Sequence, residues 1–421
     1  MSDEQTTILC IATRLWDSLW RDSQQVMSRL AAQYRVLYFE PGRDPDRPHA
    51  AEMWRNWPNL LRLRAREVRD NVVVIPTPSS LPYARRHLPR PLLRATVPLV
   101  ANLNASLLKR HVRRALEAFD VRESILWLYE PRHSGLVGQF GERLSVYYNY
   151  DEMPGFAGNE RIANMLRAYD DRLSRRVDVV FATSRGQWER RRALNPSTYF
   201  VPNGVDFDLF HRALAPETRV PADLAGLARP IIGLVGWLGY QLDVDLLLLV
   251  AERFSHGSLV LIGPDHIPDG RAARRLHALP NVHFLGRKDL AALPAYLKGI
   301  DAALIPYVLR GHTLTVYPLK LHEYLAAGRA TVATALPELK PYEGVVRIAQ
   351  SYEQYLRYVG EAVDDYSPLA VEARVGVARQ NTWDARVALI RRILRDHLAA
   401  GKGERAVEEG FRLLDEIPSA K

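Results

Sequence analysis

The sequence predicts an α/β chain of two doubly wound, Rossmann-like domains facing each other across a cleft. Three observations predict it. The 421 residues exceed what one hydrophobic core usually holds, about 250 residues. Short apolar runs alternate with longer amphipathic stretches from end to end, the rhythm of parallel strands covered by helices. That rhythm restarts at PIIGLVGWLG, Pro230 to Gly239, after a turn-forming Asn-Gly in VPNGVD, Val201 to Asp206. The expected boundaries are 1–205 for the first domain, 206–382 for the second, and 383–421 for a C-terminal helix packing back toward the first domain, and a tail.

In the first half the strand candidates are Ile8–Ala12, Val36–Phe39, Val72–Ile75, Ser124–Tyr129, Ser145–Tyr148 and Val179–Ala182. Helices are expected at Gln24–Gln33, Leu103–Ala118 and Arg161–Arg176. In the second half strand PIIGLVG leads to helix DVDLLLLVAERF, strands SLVLIG and NVHFLG, helix LAALPAYLKG, strand DAALIPY, helix PLKLHEYLAAG and strand ATVAT. WDARVALIRRILRDHL after Thr382 is one long amphipathic helix. Ligands of such sheets bind outside the carboxyl ends of the strands, so those edges should line the cleft.

Composition narrows the function classes. With 47% hydrophobic and 25% charged residues the chain reads as an ordinary globular protein. The single cysteine, Cys10, lies in the apolar run ILCIA and reads as a core residue. The start MSDEQTTILC lacks the basic flank and apolar stretch of a signal peptide, so a cytoplasmic protein is expected. The net charge of +9 comes without any nucleic-acid-binding signature, and no nucleic-acid partner is expected. No HExxH, Cys–His cluster, GxSxG or GKS/T motif occurs, so no metal and no cofactor is expected and hydrolase and ATPase readings lose their footing.

Residues 71–116 contain no acid, while Arg85, Arg86, Arg90, Arg94, Lys109, Arg110, Arg113 and Arg114 are basic and interleave with leucine and valine. That mixture suits an anionic membrane surface, which would place the protein peripherally at the inner face of the membrane. A plain solvated face is the other reading.

The most informative segment runs from His312 to Thr334. Pro318 suits the start of a helix, where its missing N–H has no partner, and Gly328 suits the position just past its end. Free N–H groups at a helix start attract phosphate, and Lys320 in the first turn adds a full charge. Glu323 follows three residues later on the same face, roughly 4.5 Å along the axis. That is the step from a diphosphate to a ribose, whose diol a carboxylate can accept. Thr313 and Thr315 could donate to phosphate oxygens. The competing reading is a surface ion pair on an ordinary helix.

PLKLHEYLAAGRATVAT resembles the donor-binding helix of GT-B glycosyltransferases of the group 1 type. VPNGVDFDLF resembles their interdomain segment, and GWLG their first C-terminal loop beside the diphosphate. The resemblance implies the GT-B fold, an acceptor-binding first domain and a nucleotide-sugar-binding second one. It implies a glycosyltransferase that takes a nucleotide-diphosphate sugar, UDP favoured, to a carbohydrate or lipid-linked acceptor in cell-envelope polysaccharide or glycoconjugate synthesis. Gly236 and Gly239 allow close backbone approach to phosphate, and Trp237 and Tyr307 could stack on base or sugar, with core packing as the alternative. Many retaining members carry an acid where this chain has Thr315, and a basic pair where it has GYQLDVD. Both departures tilt the expectation toward an inverting enzyme.

On the acceptor side, LSVYYNYDEMPGF sets Asp151 and Glu152 just after a strand. A carboxylate there is placed as a general base would be. The stretch resembles the corresponding strand and aspartate of the inverting glucuronosyltransferase of xanthan assembly, which makes Asp151 the catalytic base; a turn acid is the plainer reading. Trp16, Trp20, Arg21 and Gln24 in the loop after the first strand, and Glu130 and Arg132 after another, are candidate acceptor contacts, because aromatic faces bind sugars and Arg binds phosphate. Two other functions fit the same architecture: a non-hydrolysing sugar-nucleotide epimerase, and a nucleotide-binding protein without turnover.

Overall fold

The computed structural model describes residues 6–18, 20–42, 62–78, 90–152 and 160–400, with the side chains of 90–102 left aside. These residues fall into two compact units. The first takes the residues up to Ala182, then Gln187–Phe200 and the helix from Val387 onward; the second takes Thr183–Gly186 and Val201–Arg386.

Among the described residues the first unit holds an eight-stranded sheet: β1 (Thr7–Ile11), β2 (Arg35–Glu40), β3 (Arg66–Arg69), β4 (Val72–Pro76), β5 (Ser124–Leu128), β6 (Leu144–Asn149), β7 (Val179–Ala182) and β8 (Thr198–Phe200). Their spatial order is β3-β4-β2-β1-β5-β6-β7-β8. All neighbours pair parallel except β3, which runs antiparallel on the edge of β4. Without that edge strand the chain order reads 3-2-1-4-5-6-7, so the winding reverses between β1 and β5. A switch point there opens a crevice outside the carboxyl ends of the two strands. TILCI and SILWL are buried at every position, as strands covered on both faces must be.

The second unit holds a parallel sheet of β9 (Ile231–Val235), β10 (Ser258–Ile262), β11 (Val282–Gly286), β12 (Ala302–Ile305), β13 (Ala330–Thr334) and β14 (Val346–Ala349). Its order β11-β10-β9-β12-β13-β14 is the 3-2-1-4-5-6 winding of dinucleotide-binding folds, with the switch between β9 and β12. The sheet core is apolar throughout, with Ile232, Leu234, Val260, Leu304 and Val332 fully buried. Two doubly wound α/β units are thus present, as the alternating pattern predicts.

Three strands and several helices, Arg185–Arg192 and Arg271–Ala278 among them, escaped the sequence reading. β3, β8 and β14 have only three or four residues each, too few to show a period. The helices Tyr352–Val363 and Pro368–Gln380 follow β14 in a stretch to which no element was assigned. The helix expected from Leu103 begins at Arg90 and runs to Ala118. Pro91 sits in its first turn, where a missing N–H is tolerated.

Arg85, Arg86 and Leu88 of the acid-free stretch lie outside the described residues, as do the side chains of Arg90 and Arg94. Farther along, the Lys109 amine donates to the Gln139 Oε1 at 3.1 Å and Arg113 to the Gln139 carbonyl at 3.3 Å. Part of the basic charge is therefore engaged on the protein itself. Among the described residues no helix is long and apolar enough to cross a membrane.

Candidate functional site

In the second unit the candidate residues gather at the switch point. The loop after β9 turns at Gly236, whose φ of 127° favours glycine. A Cβ there would lie 3.3 Å from the Lys320 Cε and 3.4 Å from its Nζ, so only glycine lets the loop backbone close on that amine. Lys320 opens the helix Lys320–Ala326 and is 5% exposed. Its ammonium lies 5.3 Å from the centre of the Tyr307 ring, just after β12.

The helix is pinned in this position. The Val235 N–H donates to the Tyr324 hydroxyl at 2.8 Å, and that hydroxyl donates back to the Val235 carbonyl at 3.3 Å. The Tyr317 hydroxyl stands 2.6 Å from the His322 Nε2 and 2.6 Å from the Tyr342 hydroxyl. Asn203, from VPNG, donates to the Tyr317 carbonyl at 3.1 Å. Gly328, with φ of 70°, closes the helix as its position predicts.

Glu323 faces inward from the first turns, mostly buried. Burial pushes its carboxyl up to about 7, against the pull of the Lys320 ammonium. Among the described residues its carboxylate accepts no hydrogen bond, and no ion pair closes onto it within 4.0 Å. The reading of Lys320 and Glu323 as a surface ion pair is thereby excluded. A largely buried acid without a hydrogen-bond partner among the described residues is costly to keep, and such groups are candidates for ligand contact.

Other expectations for this unit are corrected. Thr313 is fully buried and its hydroxyl donates to the Arg310 carbonyl at 2.7 Å and to the Val308 carbonyl; it locks the loop and offers nothing to a phosphate. Tyr307 is 7% exposed, so its ring supports Lys320 instead of presenting a face to a base. Gly239 serves its neighbour, since a Cβ there would strike the Trp237 indole. Trp237 stacks on His266 with ring centres 4.0 Å apart and stays partly exposed. The Thr315 hydroxyl donates to the His312 carbonyl at 2.9 Å, ending the short helix Gly311–Thr315.

In the first unit Asp151 lies just beyond β6, and its Oδ1 accepts from the Glu152 N–H at 2.9 Å. Burial pushes its carboxyl up to about 6, while that N–H and the Arg21 and Arg14 guanidiniums pull it back. Tyr150 beside it is bonded through its hydroxyl to the Thr13 side chain. The loops after β1 and β6 therefore meet at Asp151. Glu152 stands 3.5 Å from Arg190, which closes on Asp171 at 2.9 Å.

Several acceptor candidates are structural instead. Trp16 is 4% exposed and packs edge-on against Tyr38. Gln24 is fully buried; its amide donates to the Leu15 carbonyl at 3.1 Å and its Oε1 accepts from the Arg21 N–H at 3.2 Å. Both were mistaken for a binding wall because polar and aromatic residues stabilise a loop from within as readily as they line a site. Glu130 is buried and takes Arg132 in a forked pair at 2.9 and 3.0 Å. Burial would raise its carboxyl, but the bonds and charge of Arg132 and the charge of His133 hold it below the usual range. Trp20 remains half-buried, with the Arg69 guanidinium 5.1 Å from its ring centre. Arg21 stays at the site. Arg14, Asp22 and Tyr150 escaped the sequence reading, although Arg14 stands in the same TRLW stretch as Trp16. Among the described residues no three His, Cys, Asp or Glu side chains cluster as metal ligands would.

Two doubly wound units, each with its polar residues at its own switch point, define the GT-B class of architecture. An alpha,alpha-trehalose-phosphate synthase (UDP-forming) from Burkholderia vietnamiensis shares it, with a TM-score of 0.65 at 14% identity over 93% of this chain and 97% of that one. A trehalose-6-phosphate synthase studied for glycosyl transfer with retention matches at a TM-score of 0.63 and 13% identity over 92% and 99% of the two chains. At such identities these likenesses establish the fold alone. Residues 229–364, within the second unit, match the model of the family described as "Glycosyl transferases group 1". The "Putative teichuronic acid biosynthesis glycosyltransferase TuaH" of Bacillus subtilis (strain 168) is 29% identical over 185 residues, 43% of this chain. The match takes in 43% of that protein's length, less than half.

Proposed function

We propose that the protein is a metal-independent, inverting glycosyltransferase that moves a sugar from a UDP-linked donor to a carbohydrate or lipid-linked acceptor of the cell envelope. The observation that carries the reading is the inward-facing carboxylate of Glu323, which accepts no hydrogen bond among the described residues, one helical turn from the buried Lys320 and inside the segment that matches the group 1 model. The relatives lend it direction: one is a UDP-forming synthase, another is named for a cell-wall polymer.

In this mechanism Lys320 and the backbone at Gly236 take the charge of the diphosphate, and the ribose hydroxyls donate to Glu323. Charge that grows on the departing diphosphate meets a fixed ammonium, which stabilises the transition state more than the ground state. Asp151 accepts the acceptor's hydroxyl proton as the oxygen attacks the anomeric carbon and the bond to the diphosphate breaks. A carboxyl near 6 is largely ionised at neutral pH yet still basic enough to take that proton.

A panel of UDP, GDP, TDP and ADP sugars in thermal melts tests the donor. A ligand that binds only the folded chain at about 100 times its Kd adds about 2.7 kcal/mol. UDP compounds should raise the melting point of the wild type and lose that effect in Glu323→Ala. A winning base other than uracil would overturn the UDP assignment, and products that keep the donor's anomeric configuration would overturn inversion.

A further inference from the structure

Behind Asp151 stand four buried polar side chains of the first unit. Asp170, on the helix Glu160–Arg176, and Arg191, on the helix Arg185–Arg192, close an ion pair at 2.5 Å with each side chain 1% exposed. Tyr147 and Asn149, near the end of β6, are buried as well. A buried ion pair is seldom more stabilising than apolar side chains of the same volume. Its presence here asks for a task besides stability.

The directions of the hydrogen bonds supply one. The Asp170 carboxylate can only accept: Arg191 donates to one oxygen, and the Tyr147 hydroxyl donates to the other at 2.7 Å. Burial, then the charge of Asp170, pushes the Tyr147 hydroxyl well above its ordinary range, so it keeps this proton. With its single proton engaged, the hydroxyl must accept from Asn149, whose Nδ2 stands 2.8 Å away. The same Nδ2 donates to the Asp151 main-chain carbonyl at 3.3 Å. The Asn149 Oδ1 is thereby turned the other way, toward Gln187. In the orientation that satisfies both of its amide atoms, Gln187 donates to that Oδ1 at 2.6 Å and accepts the Glu152 N–H at 3.1 Å. The backbone at Asp151 is thus held from β6 through Asn149 and from the helix Arg185–Arg192 through Gln187.

We infer that Arg191, Asp170, Tyr147 and Asn149 are positioning residues, a directed chain of hydrogen bonds that fixes Asp151 where it meets the acceptor's hydroxyl. None of the four touches substrate; they act through Asn149 on the Asp151 backbone. The inference rests on Asp151 being the base of the transfer. A base must stand within hydrogen-bond reach of the proton it takes, and a displacement of about 1 Å can cost about 10²-fold in rate. A residue just past a strand end has lost the ladder that would otherwise hold it, so side chains take over that task.

The test is an NMR titration of the carbon-13-labelled Asp151 carboxyl in the full chain, for wild type, Tyr147→Phe, Asn149→Ala and their combination. Tyr147→Phe keeps the ring in place and removes only the hydroxyl. In both single variants the midpoint should move from about 6 toward the ordinary 3.8, because a released carboxyl reaches water. Arg14, Arg21, Asp22, Tyr150 and Glu152, which also act on Asp151, are the same in every variant. The combination should shift the midpoint no further than Asn149→Ala alone, since both changes act through one bond. Asn195→Ala is the control: it removes buried bonds to the Ser174 and Val177 carbonyls, and should lower the melting temperature without moving the midpoint. Release of UDP from UDP-glucose, with water in the acceptor's place, should fall about tenfold in Tyr147→Phe and in Asn149→Ala. An unmoved midpoint in both single variants, or an equal shift in Asn195→Ala, would overturn the positioning chain. A midpoint that moves while Asp151→Asn releases UDP at the wild-type rate keeps the chain and overturns the reading of Asp151 as the base.

Discussion

The two switch points solve the same problem differently. In the second unit a cation and a carboxylate stand one turn apart on a single helix, Lys320 and Glu323, and buried hydroxyl bonds tie that helix to the end of β9. In the first unit the charged groups come from separate loops: Arg14 and Arg21 after β1, Asp151 after β6. A single helix presents its residues at a spacing fixed by geometry, so it suits a ligand part that never changes, such as a nucleoside diphosphate. Loops can be exchanged one at a time, which suits an acceptor that differs from enzyme to enzyme.

If the two regions divide the work in this way, damage to one should leave the other intact. The largest effect is expected from Asp151→Asn. Loss of a general base typically costs about 10²–10⁴ in rate, and turnover should fall by that much while UDP affinity, measured by calorimetry, stays near the wild-type value. Glu152→Gln is the control, since Glu152 is already engaged with Arg190 at 3.5 Å. Near-normal turnover in Asp151→Asn would break the division at its catalytic end.

The reverse change comes next. Glu323→Ala should weaken UDP by ~1.5–3 kcal/mol, the worth of a charged hydrogen bond, and with donor held saturating should change turnover far less than Asp151→Asn does. Unchanged UDP affinity would remove Glu323 from the site.

This contrast also explains what the sequence could show. Pro318, Lys320, Glu323 and Gly328 were legible because a helix start, a charge, a turn's spacing and a helix stop all write themselves into one short segment. Asp151 was legible from its place at a strand end. Arg14 was not, because nothing local marks it off from Arg85 or Arg110; its place comes from a loop pinned by Tyr38 and Gln24, which the fold alone brings together. Thr313, Trp16 and Gln24 were misread for a related reason. Composition tells that a loop is polar, and only the hydrogen bonds tell whether that polarity faces a ligand or the loop's own carbonyls.

A smaller effect should appear in the pH profile. The Asp151 carboxyl is raised to about 6, and its ionised form is the base. The rate at saturating substrates should therefore be flat above that value and fall about tenfold for each pH unit below it. In Asp151→Asn that acid limb should vanish. A limb that persists unchanged in the variant would assign it to another group.

The smallest expected effect is on stability and concerns Glu323, where the ligand-free protein keeps a carboxylate that burial disfavours. Its carboxyl is raised from 4.5 to about 7 in the fold, so the folded chain binds the proton more tightly than the unfolded chain does. The contribution of the protonated group is fully present below about pH 4.5, fades as pH rises through about 7, and leaves a penalty above that. Glu323→Gln removes the ionisation while keeping nearly the same shape. Without nucleotide, the variant should be more stable than wild type by about 1–2 kcal/mol at pH 8, less than the full shift implies because part of the side chain meets water. Toward pH 4.5 the two chains should converge, since glutamine then stands beside a neutral acid. With UDP the order should reverse at pH 8, because the ribose hydroxyls donate to the carboxylate and an amide replaces it poorly. Parallel melting curves for the two chains at every pH would show that the Glu323 carboxyl is well solvated.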